Sequence, residues 1–291
     1  MNFFGLTIII ISAIFHAWWN FLLKKSHDKM VFIWLMFCEA SLIMICLYLI
    51  YFQRFGVLSC SAFQLSLIAA VSYFLYQVGN GLAYETEDMS LVYPLTMTAP
   101  LFIPIWAWLI LHETISLKGF MGIILCVTGV CIIPLKEFNI KSIIKPFSQF
   151  KSKGVKLALF AGFISSIGAV INKLGLNTAN TFSFTFSMVL AITLLLGLFC
   201  LGQKKYRENI PVIVKKDTKN LMLAGIVLTA SFLSFQSAIS ITKISYASPA
   251  RRISILFGVL IGVIFLKEKC AKIRIMGSLL IISGIWLLKI A

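Results

Sequence analysis

With 291 residues, 60% of them hydrophobic and only 12% charged, and a mean hydropathy of +0.97, the chain lies far outside soluble usage, where about a quarter of residues are charged. That composition requires an integral membrane protein. A net charge of +16 would suggest nucleic acid in a soluble chain, but nearly all the lysines and arginines sit between apolar runs, where they anchor helix ends against anionic headgroups, so no nucleic-acid partner is expected.

Ten runs approach the roughly 20 residues needed to cross about 30 Å of hydrocarbon: 3–23, 31–52, 63–84, 89–111, 116–135, 154–174, 182–202, 220–242, 246–266 and 271–289. The first is followed by Lys24-Lys25 rather than by a small-residue cleavage site, so it reads as a retained helix and not a signal peptide. On it His16 and Asn20 stand one turn apart with Trp19 beside them, a group able to line a wet centre, with His16 titrating in the physiological range. An interhelical hydrogen bond explains the same pair equally well.

In the second run Glu39 lies near the middle, with no cation within helical reach. A carboxylate there is expensive, so it reads either as a carrier of a proton or cationic substrate or as a hydrogen-bonded link between helices. On the third run Tyr73, Tyr76, Gln77, Asn80 and Tyr84 recur at three- and four-residue steps and form a polar-aromatic stripe. Tyr93, Thr96 and Met97 continue that stripe on the fourth run around Pro94.

The corner after the fourth run carries Glu113, expected to cap the following helix or to pair with lysines, and the fifth run is dotted with Gly119, Gly122 and Gly129, suited to close helix packing. A basic connector, Lys136 to Lys153, separates the first five runs from the last five. On the sixth run Lys173 follows Asn172 and either snorkels to the headgroups or joins the cavity. The segment Gln203 to Lys219 is basic and reads first as a solvated loop, with partial helix along the membrane surface as the alternative, and the eighth run offers Ser231, Ser234, Phe235 and Gln236 as pocket-lining groups.

Arg251 and Arg252 sit just after Pro249 in the ninth run. Neighbouring helical side chains diverge by about 100°, so at most one of the two faces a cavity while the other snorkels. A cavity-facing guanidinium suits a carboxylate or phosphate on the substrate, or a breakable ion pair with Glu39. Pro94 and Pro249 each remove a backbone donor and read as hinges or as helix-start prolines. The seven cysteines show neither metal-ligand spacing nor a disulfide framework, and the three histidines are too scattered for a zinc site, so no metal and no cofactor is expected.

The strongest pattern is internal. Ser90 to Gly129 recurs without a gap as Ser245 to Gly284, with Ser90, Pro94, Glu113, Gly122 and Gly129 matching Ser245, Pro249, Glu268, Gly277 and Gly284 at a constant offset of 155. The front halves match more faintly at an offset of 152, His16 to Asn20 against Gly168 to Asn172. An odd number of helices per copy forces the second copy in upside down. The expectation is an all-α integral membrane protein, ten transmembrane helices in two inverted five-helix repeats, divided as 1–135, a linker 136–153, and 154–291.

Pro94 with Glu113 and Pro249 with Glu268 resemble the drug/metabolite transporter superfamily, specifically its EamA-type family. HAWWNFLLKKS at His16 to Ser26 and AYETEDMSLVYPL at Ala83 to Leu95 look like one bacterial branch of it. The resemblance implies a multi-pass protein of the inner (cytoplasmic) membrane that moves small molecules, with both termini cytoplasmic. A count of basic residues disagrees on the last point: nineteen lie on the side of the odd-to-even loops and seven on the side of the termini, which places the termini outside.

The reading is a secondary transporter for a small organic metabolite, working by alternating access and driven by protons or by the substrate's own gradient. A lipid flippase is the alternative. Partners are a small-molecule substrate and the bilayer, with protons and a second copy of the chain left open. The loops hold mostly lysine and no phosphate-binding motif, so neither an enzyme nor a self-contained ATP-driven pump is expected.

Overall fold

Short polar residues at the edges of the apolar runs decide where the helices start, because the first backbone N–H groups of a helix need acceptors. The computed structural model describes residues 1–87, 92, 95–133, 152–266 and 272–291, without the side chains of residues 52, 53, 84 and 261–266. Asn2 accepts from Gly5 N at 2.8 Å to open α1 (Phe3–Lys25), and Asp28 accepts from Met30 N and Val31 N to open α2 (Lys29–Ile50). A single turn, α3 (Phe52–Phe55), precedes α4 (Cys60–Thr86), which starts on Ser59.

Then follow α5 (Ala99–Leu111), α6 (Leu117–Ile132) capped by Ser116, α7 (Lys153–Leu176), and α8 (Thr181–Gly202) capped by Asn180. The chain ends with α9 (Lys204–Ile241), α10 (Ile244–Ala250), a 3-10 turn at Arg251–Ile253, α11 (Ser254–Leu266) and α12 (Lys272–Ile290). Among the described residues seven helices are long and apolar enough to cross a membrane. The ten-span, two-repeat architecture expected from the sequence is the one observed.

Two local expectations fail. Gln203 to Lys219 is not a loop: it is helical from Lys204 onward and continuous with the eighth span, giving a 38-residue α9. At 1.5 Å per residue α9 is about 57 Å long, nearly twice the roughly 30 Å of hydrocarbon, so its polar part stands clear of the lipid. It is held down by buried Tyr206 and Ile213, by Lys205 Nζ to Glu85 at 2.7 Å and by Asn209 Nδ2 donating to Asp28 at 2.8 Å. The ninth span, read as one helix, is interrupted by the 3-10 turn.

The packing repeats what the sequence repeats. α1 packs on α9 as α4 packs on α7, α2 on α9 as α8 on α4, and α5 on α7 as α11 on α1, each contact being the image of its partner when the two halves are exchanged. Residues at equivalent positions meet where the exchange axis crosses them. Ser41 Oγ and Thr193 Oγ1, separated by the front-half offset of 152, are 2.7 Å apart, and Cys126 Sγ donates to the carbonyl of Ile281, 155 residues on, at 3.7 Å. Both termini lie on one face, with the Met1 amine donating to the carbonyl of Lys289 at 3.1 Å.

The halves also meet backbone to backbone where α6 runs antiparallel to α12 and packs on it through glycine. A Cβ on Gly122 would come within 2.8 Å of the Gly284 carbonyl oxygen, and one on Gly129 within 2.5 Å of the Gly277 oxygen. Those neighbours are backbone and cannot step aside. Gly129→Ala is therefore expected to destabilise the protein by about 1–3 kcal/mol through overpacking, lowering its detergent melting temperature. Gly202→Ala, where nothing lies within 4 Å of the new methyl, is the control expected to leave melting unchanged.

Candidate functional site

The 3-10 turn at Arg251–Ile253 has a cause in the sequence. Pro249 lacks the N–H that would close the helix onto the turn before it, and its ring disfavours the regular geometry there. The chain responds by tightening, with the N–H of Ser254 reaching the carbonyls of Arg251 and Arg252. The first repeat does the same at the equivalent place: Thr98 N bonds to Leu95 O at 3.2 Å and Leu101 N to Thr98 O at 2.8 Å, and α5 begins at Ala99, the repeat partner of Ser254. The two irregular turns meet, since Arg252 Nη1 lies 2.8 Å from the sulfur of Met97, its own repeat equivalent.

The turn aims its two arginines apart, as the 100° rule requires. Arg251 lines a cavity of about 140 Å³, together with Tyr73, Asn172, Phe232, Phe235 and Gln236. Its guanidinium lies 4.0 Å from the Phe235 ring centre, and its Nη2 donates to Ser231 Oγ at 3.0 Å and to His16 Nδ1 at 3.3 Å. A guanidinium only donates, so Nδ1 accepts and His16 is neutral with its proton on Nε2. Ser231 in turn exchanges hydrogen bonds with Ser12 across the α1–α9 interface, at 3.0 and 3.2 Å. Arg252 does not snorkel: it is half-buried against Met97.

His16, Arg251, Gln236 and Asn172 are thus brought together. Asn172 and Gln236 hydrogen-bond to each other in both directions, at 2.8 and 3.1 Å, on the cavity wall. Tyr76 stands beside Tyr73, ring centres 6.1 Å apart, and both phenols are within electrostatic reach of the arginine pair. Trp19 is buried edge-on to His16 at 4.9 Å, its Nε1 without a partner among the described residues. Asn20 turns away and donates to the His16 carbonyl at 2.7 Å. Gln77 and Thr96 are buried, Asn80 Oδ1 is buried without a partner among the described residues, and Tyr93 and Pro94 lie outside those residues. Pro249 is buried one residue before the turn that ends α10.

Glu39 is elsewhere. Its Cβ packs against Gly225 of α9, and among the described residues it forms no hydrogen bond and no ion pair, so the pairing with arginine is not made. Lys173 neither snorkels nor joins the cavity: it is buried and donates to the carbonyls of Ile239 at 2.6 Å and Ser240 at 3.1 Å, the last acceptors of α9.

Glu113 also departs from expectation, since Ser116, not Glu113, caps the following helix. A left-handed turn at His112, φ +54°, swings the buried Glu113 across to the other repeat. There its carboxylate accepts from Ile244 N, Ser245 N and Ser245 Oγ at 2.9, 3.1 and 2.5 Å. It thereby caps α10, the helix that carries Arg251 at its other end. The sequence placed Glu113 at a corner but held no signal for a partner 131 residues away.

The model of the EamA-like transporter family matches residues 3–135 and 152–290. No curated protein matches the chain by sequence. Among solved structures, a crystal structure described only as that of a protein superposes with a TM-score of 0.79 at 12% identity, covering 100% of this chain and 98% of the other, a likeness of fold alone.

Removing the Glu113 carboxylate leaves two buried backbone donors without acceptors. Glu113→Ala is expected to cost about 2 kcal/mol of stability, read as a lowered melting temperature, with Ser116→Ala, at a half-exposed ordinary cap, costing about 1 kcal/mol or less.

Proposed function

We propose that this protein, which belongs to the EamA-like transporter family, is a secondary transporter that carries a small organic metabolite across the cytoplasmic membrane by alternating access around the Arg251 cavity. The observation that supports this most is the pair of irregular turns at equivalent places in both repeats, with a cavity against one of them. Broken helices that meet within apolar spans supply loosened backbone and polar side chains where a solute can bind. Halves related by inversion can exchange conformations and so present that site to either face.

The ties at the two faces differ in kind. On the face of the termini, Glu113 with α10, Lys243 Nζ with the Thr114 carbonyl at 2.6 Å and Ser116 N with the Tyr246 hydroxyl at 3.1 Å join the halves around a buried carboxylate. On the opposite face the Lys205–Glu85 pair is half-exposed, and such pairs contribute roughly 0–1 kcal/mol. On that basic face Asn209 also donates to Asp28 at 2.8 Å and Ser152 to Glu87, so polar ties join the halves at both faces. The basic face is cytoplasmic in this reading, following the excess of basic residues on it.

Glu39 is the acidic residue placed deepest within a span, and it carries the coupling proton in this scheme, exchanging it at the α2–α9 interface and not through an arginine. In proteoliposomes, uptake of a substrate identified by thermal shift is expected to follow an imposed pH gradient and to vanish when the gradient is collapsed. Glu39→Gln is expected to retain folding and binding but to lose that pH dependence. Wild-type coupling in the variant removes Glu39 from the mechanism, and lipid scrambling without solute uptake replaces the transporter reading with a flippase.

Cysteines introduced at Lys216 and at Val57 test the orientation. Labelling of intact cells by an impermeant maleimide is expected at position 57 and absent at 216.

A further inference from the structure

Burying a guanidinium is unfavourable unless a counter-charge accompanies it, and within a bilayer the penalty is greater. Here two stand side by side. Among the described residues neither Arg251 nor Arg252 meets a carboxylate: Arg251 bonds to a serine and a neutral histidine, Arg252 to a thioether, and the Nε of each is buried without an acceptor. Glu39, the one carboxylate on offer at this depth by sequence, packs against Gly225 instead. Charge of one sign has been gathered and left unmatched.

The surroundings say what kind of anion fits. The cavity beside Arg251 is walled by Tyr73, Phe232, Phe235 and Met188, and on its polar wall Asn172 and Gln236 each spend one amide N–H and their carbonyl oxygen on the other. At about 140 Å³ it is close to the roughly 150 Å³ apolar cavity that admits benzene. One guanidinium, 4.0 Å over the centre of the Phe235 ring, faces an apolar chamber of one-ring size. That arrangement matches a single planar carboxylate better than a doubly charged phosphate, which would need several more donors.

We infer that the transported solute is a compact organic carboxylate with an apolar or aromatic body, its carboxylate held by Arg251 and its body among Tyr73, Phe232 and Phe235, with Arg252 contributing field and not contact. This rests on the transporter reading for the word transported, but the binding claim stands by itself. It separates the two arginines, which the sequence could not: Arg251 is the ligand and Arg252 the neighbour.

The test is calorimetric titration of purified full-length protein in nanodiscs with benzoate, and with benzyl alcohol, benzylamine and inorganic phosphate as probes of matched shape or charge. Benzoate is expected to bind and to raise the melting temperature, and each of the other three to bind at least tenfold more weakly. Arg251→Gln is expected to weaken benzoate at least tenfold, Arg251→Lys to recover part of the loss, and Arg252→Gln to change it less than threefold. The wild-type comparison of benzoate with benzylamine decides the matter even if the arginine variants do not fold.

Equal binding of benzyl alcohol or benzylamine overturns the inference, as does phosphate binding as tightly as benzoate or an Arg251→Gln protein that binds benzoate like wild type. Proteoliposome uptake confined to neutral or cationic solutes also overturns it while leaving the transporter reading intact. Benzoate binding with no movement of any solute does the reverse.

Discussion

Backbone N–H and C=O groups cannot be left unpaired in hydrocarbon, and this constraint governs the middle of the molecule. Both repeats disturb a helix within an apolar span, at Met97–Thr98 and at Arg251–Ile253. Such places are tolerated only where protein or a wet cavity, and not lipid, surrounds them. Bringing the two disturbances against each other, as Arg252 meets Met97, shelters both at once. The remaining helices are then arranged around that pair: α1 and α9 clasped through Ser12 and Ser231 on one side, α4 and α7 as their image on the other.

The two-fold relation solves a second problem. Lipid tails are as apolar as leucine, so helices in a membrane associate through close packing and buried polar contacts and not through the hydrophobic effect. On the exchange axis this chain uses both. Glycine at four matched positions lets α6 and α12 approach backbone to backbone, and Ser41 with Thr193 supplies a hydroxyl pair between α2 and α8. Symmetry ends at the site itself, where Arg251 and Arg252 replace Thr96 and Met97, and His16 replaces Gly168. One half supplies the charge and the other a neutral counterpart.

Much of this could be read from residues alone, because spans and repeats are written in hydropathy and in fixed spacing. The glycines of the fifth run, Gly122 and Gly129, pointed to close packing, which α6 makes with α12, whereas Pro249 left open whether it was a hinge or a helix start. What could not be read depends on contacts between segments far apart in sequence. The polar stretch Lys204 to Lys219 resembles a loop by composition, and it is helical because Tyr206 and Ile213 find apolar partners and Glu85 and Asp28 find polar ones. The direction of Arg251 follows from the pitch of a three-residue turn, which no spacing rule fixes. Lys173 looked like a headgroup anchor until the last carbonyls of α9 were found beside it.

Glu113 links the packing to the site. It is fixed by a left-handed turn in one repeat and grips the first residues of α10 in the other, and α10 is only seven residues long before it reaches Arg251. That short segment, ending in a proline-induced turn, joins the Glu113 carboxylate to the residues that carry the guanidinium. Because α6 is also locked to α12 through glycine, the corner cannot slide independently of that interface. Glu113, α10 and the turn bearing Arg251 thus form one connected unit between the α5–α6 corner and the cavity, the kind of link that the proposed alternating access needs between a site and a gate.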